Sequence, residues 1–301
     1  MSLPERHPYG TARSQFGELF LPSGGGPWPV AVVLHGGFWR AQYGRRLMRP
    51  VCADLAARGW AAFNVEYRRL GRLSGGGFPR TLEDVAAAVD HLAELPAHGR
   101  VGTGNDPGAR EPLQSAAGDD DSVRSPSEPG GHDPGRSPSA AGDDEPASAP
   151  GGATRALDLS RVVAIGHSAG GHLAAWLATR ERARVPVTAV VAQAGVVDLR
   201  LASELGLSRG VVNRFLGGAP AIVPERCAAA SPAERLPLGV PALLTHGGRD
   251  DIVPPVMSER FAAAARAAGD EVELVVVPDE GHFGHLDVEN SLWRAVTEWI
   301  R

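Results

Sequence analysis

No lysine occurs anywhere in the chain: all 30 basic residues are arginines. Set among so much alanine, glycine and proline, this reads as a coding bias, and no function attaches to it. A large excess of one charge is missing too. The formal net charge is −5, so there is no basic footprint for nucleic acid and no such partner is expected. Cysteine is scarce. Cys52 and Cys227 lie far apart and form no disulfide framework, which points to a reducing compartment. Residues Met1 to Gly10 hold Pro4, Glu5 and Pro8 and no apolar core, so no secretory leader is expected. No apolar run approaches the roughly 20 residues of a membrane span. The expectation is a cytoplasmic protein with no membrane partner; oligomeric state is left open.

What is present suffices for a substantial core. Hydrophobic residues make up 43% of the 301, enough for one large domain. Residues 14–21 alternate weakly and read as an edge strand. Val30 to Leu34 is a buried strand that runs into His35-Gly36-Gly37-Phe38-Trp39-Arg40. Residues 44–58 carry Leu47, Val51 and Leu55 at helical spacing, and Gly59 closes that helix. Trp60 to Val65 is the next strand. Residues 81–95 form a helix with Leu82, Val85, Val89 and Leu92 on one face. Thr81 is placed to cap it, with Asp84 three residues on.

Then the composition changes. From Pro96 to Leu157 the chain is mainly Gly, Pro, Ser, Ala and Asp, with a near-repeat, Ser-Ala-Ala-Gly-Asp-Asp, at 115–120 and 139–144. Such a stretch cannot bury enough apolar surface to offset its ordering entropy, so it is expected to be disordered. It carries ten acids and five arginines, an imbalance equal to the whole net charge of the chain. The rest is a nearly neutral single domain, 1–301, interrupted by this insertion at 96–157.

Residues 161–176 organise everything else. Val162 to Ile165 reads as a buried strand, and Ala169 to Thr179 as a helix. Between them Gly166-His167-Ser168-Ala169-Gly170 matches G-x-S-x-G. A strand turning that sharply into a helix exposes the serine Oγ, with glycines where a side chain would clash. The helix N-terminus adds N–H groups. Further on, strands at Val187 to Ala192, Pro241 to Thr245 and Glu271 to Val277 alternate with helices near 208–216, at 256–268 and at 287–300. Residues 195–240 read as a small cap. This alternation predicts an α/β fold with a mostly parallel sheet covered on both faces. Ligands bind such sheets beyond the carboxyl ends of the strands, where every polar cluster here lies.

A serine hydroxyl needs a base, a carboxylate to orient that base, and donors for the oxyanion. His282 follows a buried strand in a loop opened by Gly281 and is the first candidate for the base, with His285 as fallback. His167 should face away from the serine, and His35 and His246 read as braces of backbone. The acid is Asp250 or Asp251, before Ile252-Val253-Pro254; Asp250 is preferred, and Asp198 is a third choice. The backbone N–H groups of Gly37, Phe38 and Ala169 are the expected oxyanion donors.

Together these residues resemble the α/β-hydrolase fold family over nearly all the chain outside 96–157. Gly166-His167-Ser168-Ala169-Gly170-Gly171, His246-Gly247 with Asp250, and Gly281-His282-Phe283 stand where that family has its elbow, acid loop and histidine loop. The resemblance implies Asp250 as the acid, because the family's carboxylate comes three residues after the His-Gly pair. His35-Gly36-Gly37-Phe38-Trp39 is similar to the H-G-G-x-W motif of kynurenine formamidases and related small esterases. It departs at Phe38 from the H-G-G-G of hormone-sensitive-lipase-like esterases. The implied activity is hydrolysis of a small-acyl ester or aryl amide through an acyl-enzyme, with no metal or organic cofactor. Phe38 and Trp39 are expected to line the substrate. Two other readings remain: a prolyl-oligopeptidase-like peptidase, although the chain has no room for a propeller, and a catalytically silent fold used for binding.

Overall fold

The backbone of a strand alternates its side chains between two faces, and β3 (Trp28–Leu34) shows what that does here. Val30, Val32 and Leu34 join one apolar cluster, while Ala31 and Val33 join a second on the opposite face. A strand buried on both sides must be covered on both sides. The computed structural model, which describes residues 4–95 and 156–301, shows how.

Before β3 come β1 (Glu5–Pro8) and β2 (Phe16–Phe20), and after it β4 (Ala61–Glu66), β5 (Leu157–His167), β6 (Ala189–Gln193), β7 (Ala242–Gly247) and β8 (Val272–Val277). They form one sheet in the order β1-β2-β4-β3-β5-β6-β7-β8. β2 pairs antiparallel with β1 on one side and with β4 on the other, so residues 14–21 do not form the expected edge strand, and from β4 across to β8 neighbouring strands pair parallel. The helices are α1 (Arg49–Ala57), α2 (Arg80–His91), α3 (Ala169–Ala178), α4 (Leu199–Glu204), α5 (Leu207–Leu216), α6 (Pro224–Ala230), α7 (Val256–Ala267) and α8 (Ser291–Trp299). Val51 and Leu55 of α1 and Trp293 and Val296 of α8 cover one face. Leu82 and Val85 of α2, Leu173 of α3 and Phe261 of α7 cover the other. No helix among the described residues is long and apolar enough to cross a membrane.

Several local expectations need correction. Thr81 does not cap α2, which already begins at Arg80 behind Pro79. Its hydroxyl instead donates to the Arg68 carbonyl and accepts from the Gly77 N–H. Asp84 is drawn away from the helix start by the Arg68 guanidinium, at 2.6 Å. The structure adds β1 and, within 195–240, the short helices α4 and α6 to the elements read from the sequence. The strand of the elbow is longer than its apolar run, because Leu157 already pairs with Trp28. The composition boundary at 157 therefore overruns the insertion. The expected disorder of that segment otherwise falls on residues outside the described ones.

Candidate active site

The parallel strands bring their C-terminal ends to one rim, and the sequence-assigned groups meet there. Ser168 sits between β5 and α3 with φ 57° and ψ −118°. This conformation is sparsely populated for a non-glycine residue and strained. It is held from both sides: the Ser168 N–H donates to the Gln193 carbonyl at 2.7 Å, and the Ser168 carbonyl accepts from the N–H groups of Gly171 and Val196. The glycines around it are needed for closeness. A Cβ on Gly166 would lie 2.0 Å from the Gly170 carbonyl oxygen, and one on Gly170 would lie 2.0 Å from that of Leu34. Neither backbone can yield, so the tight turn admits no side chain at either place.

His282 lies in the loop after β8. Its Nδ1–H donates to Asp250 Oδ2 at 2.6 Å, and both side chains are buried. The other carboxylate oxygen, Oδ1, accepts from the backbone N–H groups of Ile252 and Val253, each at 2.9 Å. Asp251, next in the chain, is exposed to solvent. Asp198 caps α4 by accepting from the Leu201 N–H. The geometry thus pairs His282 with Asp250 and leaves Asp198 as a helix cap.

Burial opposes charge on Asp250, but hydrogen bonds from His246 and His282 and from the Val253 N–H outweigh it. They hold its carboxyl well below the usual carboxylate range. His246 was expected to brace backbone, and its Nε2–H does donate to the Val253 carbonyl at 2.7 Å. The same nitrogen also stands 3.3 Å from Asp250 Oδ2. His285, the fallback base, is buried close to Thr245, and burial pushes its pKa well down. Among the described residues its hydrogen-bond partner is the Thr245 hydroxyl, not an aspartate.

The loop after β3 leans directly on the elbow. A Cβ on Gly36 would fall 2.8 Å from the His167 carbonyl oxygen and 3.0 Å from Ser168 Cβ. Gly37, Phe38 and Trp39 all have positive φ. Among the described residues, the Gly37 and Phe38 N–H groups have no hydrogen-bond acceptor. The loop is braced from behind. His35 packs flat on Tyr67, ring centroids 4.2 Å apart, and its Nε2 lies 3.1 Å from the Glu66 carboxylate. The Tyr67 hydroxyl donates to the His35 carbonyl at 2.7 Å. Trp39 differs from expectation. It is wholly buried, stacked on Phe215 at 4.4 Å and edge-on to His172 at 5.1 Å. An indole is too large an apolar body to leave in water, and α5 supplies the partner. Trp39 is therefore a fixed wall beneath the loop.

Two more buried histidines carry a pH consequence. Burial lowers the pKa of His167 to about 3, with His282 nearby adding to the effect, and burial lowers His172 to about 4. The unfolded chain takes up protons at these positions below about pH 6.5, while the fold refuses them. Their stabilisation is thus complete above that pH and is lost as pH falls toward their folded values. Asp250 has the same sign at lower pH, its contribution being present above about pH 3.9. Calorimetry at stepped pH should show Tm dropping well before the carboxylates titrate. A Tm that stays flat from about pH 6.5 to about pH 4.5 would contradict this.

A parallel sheet with this strand order, an elbow after its central strand and an acid and a histidine after the following strands define the α/β-hydrolase fold. A model of the prolyl oligopeptidase family matches residues 152–301. A protein of Methylorubrum extorquens described as "Putative carboxymethylenebutenolidase" is 27% identical over 132 residues, 40% of this chain and 44% of that protein. The chain thus spans less than half the length of that relative. Among solved structures, a truncated carbohydrate esterase from gut microbiota superposes with a TM-score of 0.69 at 16% identity, covering 99% of this chain and 94% of the other. A thermophilic esterase of Thermogutta terrifontis with propionate bound gives 0.65 at 20% identity, covering 99% and 93%.

Proposed function

We propose that the protein is a serine hydrolase that cleaves short-acyl carboxylic esters or aryl amides, including N-formylkynurenine-like formamides. The observation that carries this reading is the His282–Asp250 hydrogen bond of 2.6 Å at the same rim as a strained, glycine-flanked Ser168. In the cycle, Ser168 Oγ attacks the carbonyl carbon as His282 Nε2 takes the hydroxyl proton. Asp250 holds the imidazolium through Nδ1. The oxyanion is received by the N–H groups of Gly37, Phe38 and Ala169, which are fixed before reaction and need no rearrangement. The tetrahedral intermediate collapses, and His282 gives its proton to the leaving oxygen or nitrogen. Water then attacks the acyl-enzyme by the same route and restores the serine.

The walls support a small acyl group. Trp39, buried against Phe215 and His172, supports the loop from beneath without facing the substrate, and Phe38, held at φ 50°, is the bulky group beside the attacked carbonyl. The leaving-group side is more open and aromatic: Phe283, 62% exposed, stands edge-on to His282 at 5.3 Å. The propionate-bound Thermogutta esterase, a neighbour in fold, is consistent with a short acyl site.

On p-nitrophenyl esters from acetate to decanoate, kcat/KM is expected to peak at the short end and fall with chain length. The steric penalty should exceed the ~1–3 kcal/mol that a missing methylene forfeits in a well-fitted pocket. A maximum at the long-chain end would contradict the small-acyl site. Ester turnover without cleavage of N-formylkynurenine would remove the formamidase part alone. The family model over 152–301 favours a second reading, a peptidase. Release of p-nitroaniline from a peptidyl-prolyl anilide, at rates above those on the esters, would establish it instead.

A further inference from the structure

The residue before the serine is expected from sequence to face away from it. The structure directs the His167 side chain to the histidine loop. As the last residue of β5 it is locked in register against Gln193 of β6. Its ring is wholly buried between two others, 4.6 Å from the ring of His282 and 5.6 Å from that of His285. Its Nε2–H donates to the backbone carbonyl of His282 at 2.8 Å. On its other side, its Nδ1 would lie 3.0 Å from a Cβ on Gly36. One side chain thus touches the loop that carries the base and the loop that carries the oxyanion donors. Its own backbone leads directly into Ser168.

We propose that His167 is a positioning residue that sets the distance between serine and base. This rests on the serine-hydrolase reading of the site. The loop at 281–283 follows β8, which among the described residues is an edge strand with no second strand outside it. The backbone is anchored on either side of His282, where the Glu280 carbonyl accepts from the Arg249 N–H and the Phe283 carbonyl from the Leu286 N–H, and Asp250 holds the imidazole by one nitrogen; at the His282 carbonyl itself the partner is His167. The bond from His167 ties that carbonyl to β5, at the centre of the sheet. The donor must be the Nε2–H, so the ring serves as the neutral tautomer with Nδ1 bare. Burial enforces this, since a charged imidazole so close to His282 would oppose formation of the imidazolium during attack.

The test compares His167→Phe, which keeps the ring and loses the donor, with His167→Gln, whose amide nitrogen stands the same number of bonds from Cα as Nε2. Displacing a reacting group by about an ångström lowers rates by about 10²-fold. His167→Phe should lose kcat on p-nitrophenyl acetate to about that extent, with KM changed less than about twofold. His167→Gln should recover most of the rate. If the Phe variant does not fold, His167→Asn, too short to reach the carbonyl, replaces it in the comparison. Wild-type kcat in the donor-free variant would overturn the proposal. So would a Gln variant no faster than it, since the hydrogen bond would then not be the cause. Ser168→Ala runs in the same assay. If that variant is inactive, the His167 result stands on its own; if it turns over normally, the serine reading fails and this inference with it.

Discussion

Ser168→Ala is expected to lose kcat by about 10⁶-fold, the size of loss seen when a triad serine is removed. The residue is 1% exposed and held by backbone hydrogen bonds that do not involve Oγ. Alanine leaves those bonds in place and inherits the same positive φ, so Tm should move little. Steady-state kinetics on p-nitrophenyl acetate, with a thermal melt on the same sample, read both quantities. A large loss of rate together with a large loss of stability would mean that the serine is needed by the fold and would leave its chemistry unsupported.

Asp250→Asn should follow, with a loss in kcat of about 10⁴-fold, as the same change produces in the protease triad. The reason lies in which oxygen does what. Oδ1 accepts two backbone N–H groups, and an asparagine can keep both bonds through its own oxygen. Its NH₂ must then take the place of Oδ2 and face the Nδ1–H of His282. Two donors cannot share that line, so His282 is driven into the wrong tautomer or away from the serine. His246 Nε2–H, 3.3 Å from the same oxygen, meets the same conflict. Asp251→Asn, at an exposed carboxylate, should leave kcat near the wild-type value. The opposite ranking would show that Asp250 does not orient the base.

Much of this was readable in the chain because the fold concentrates its chemistry in short stretches. Val162 to Ile165 followed by Gly166-His167-Ser168-Ala169-Gly170 carries both the strand and the sharp turn. The structure builds that turn with backbone contacts that exclude any side chain at the two glycines. The alternation of apolar runs with helical spacing also led to the parallel sheet. What could not be read depends on contacts between distant residues. Nothing near Thr81 announces that Arg68 will claim Asp84. Trp39 looks like a pocket residue beside an oxyanion loop until Phe215, far along the chain, covers it. The brace of Glu66 and Tyr67 on His35 joins the ends of β3 and β4, which become neighbours only in the sheet. His167 is the same case: its partner is a carbonyl after the last strand, and no local pattern encodes it. The exposed Phe283 and the left-handed Phe38 were visible as residues, but their postures were not.

The central claim is that Ser168 is the residue acylated during turnover. A fluorophosphonate probe followed by peptide mapping tests it most directly, because the probe reacts only with a serine already activated by its base. The account predicts one adduct, on the peptide that contains Ser168, lost when the wild type is preincubated with a short-acyl ester in excess and absent from Ser168→Ala. No adduct on folded wild-type protein, or an adduct on another residue, would contradict it.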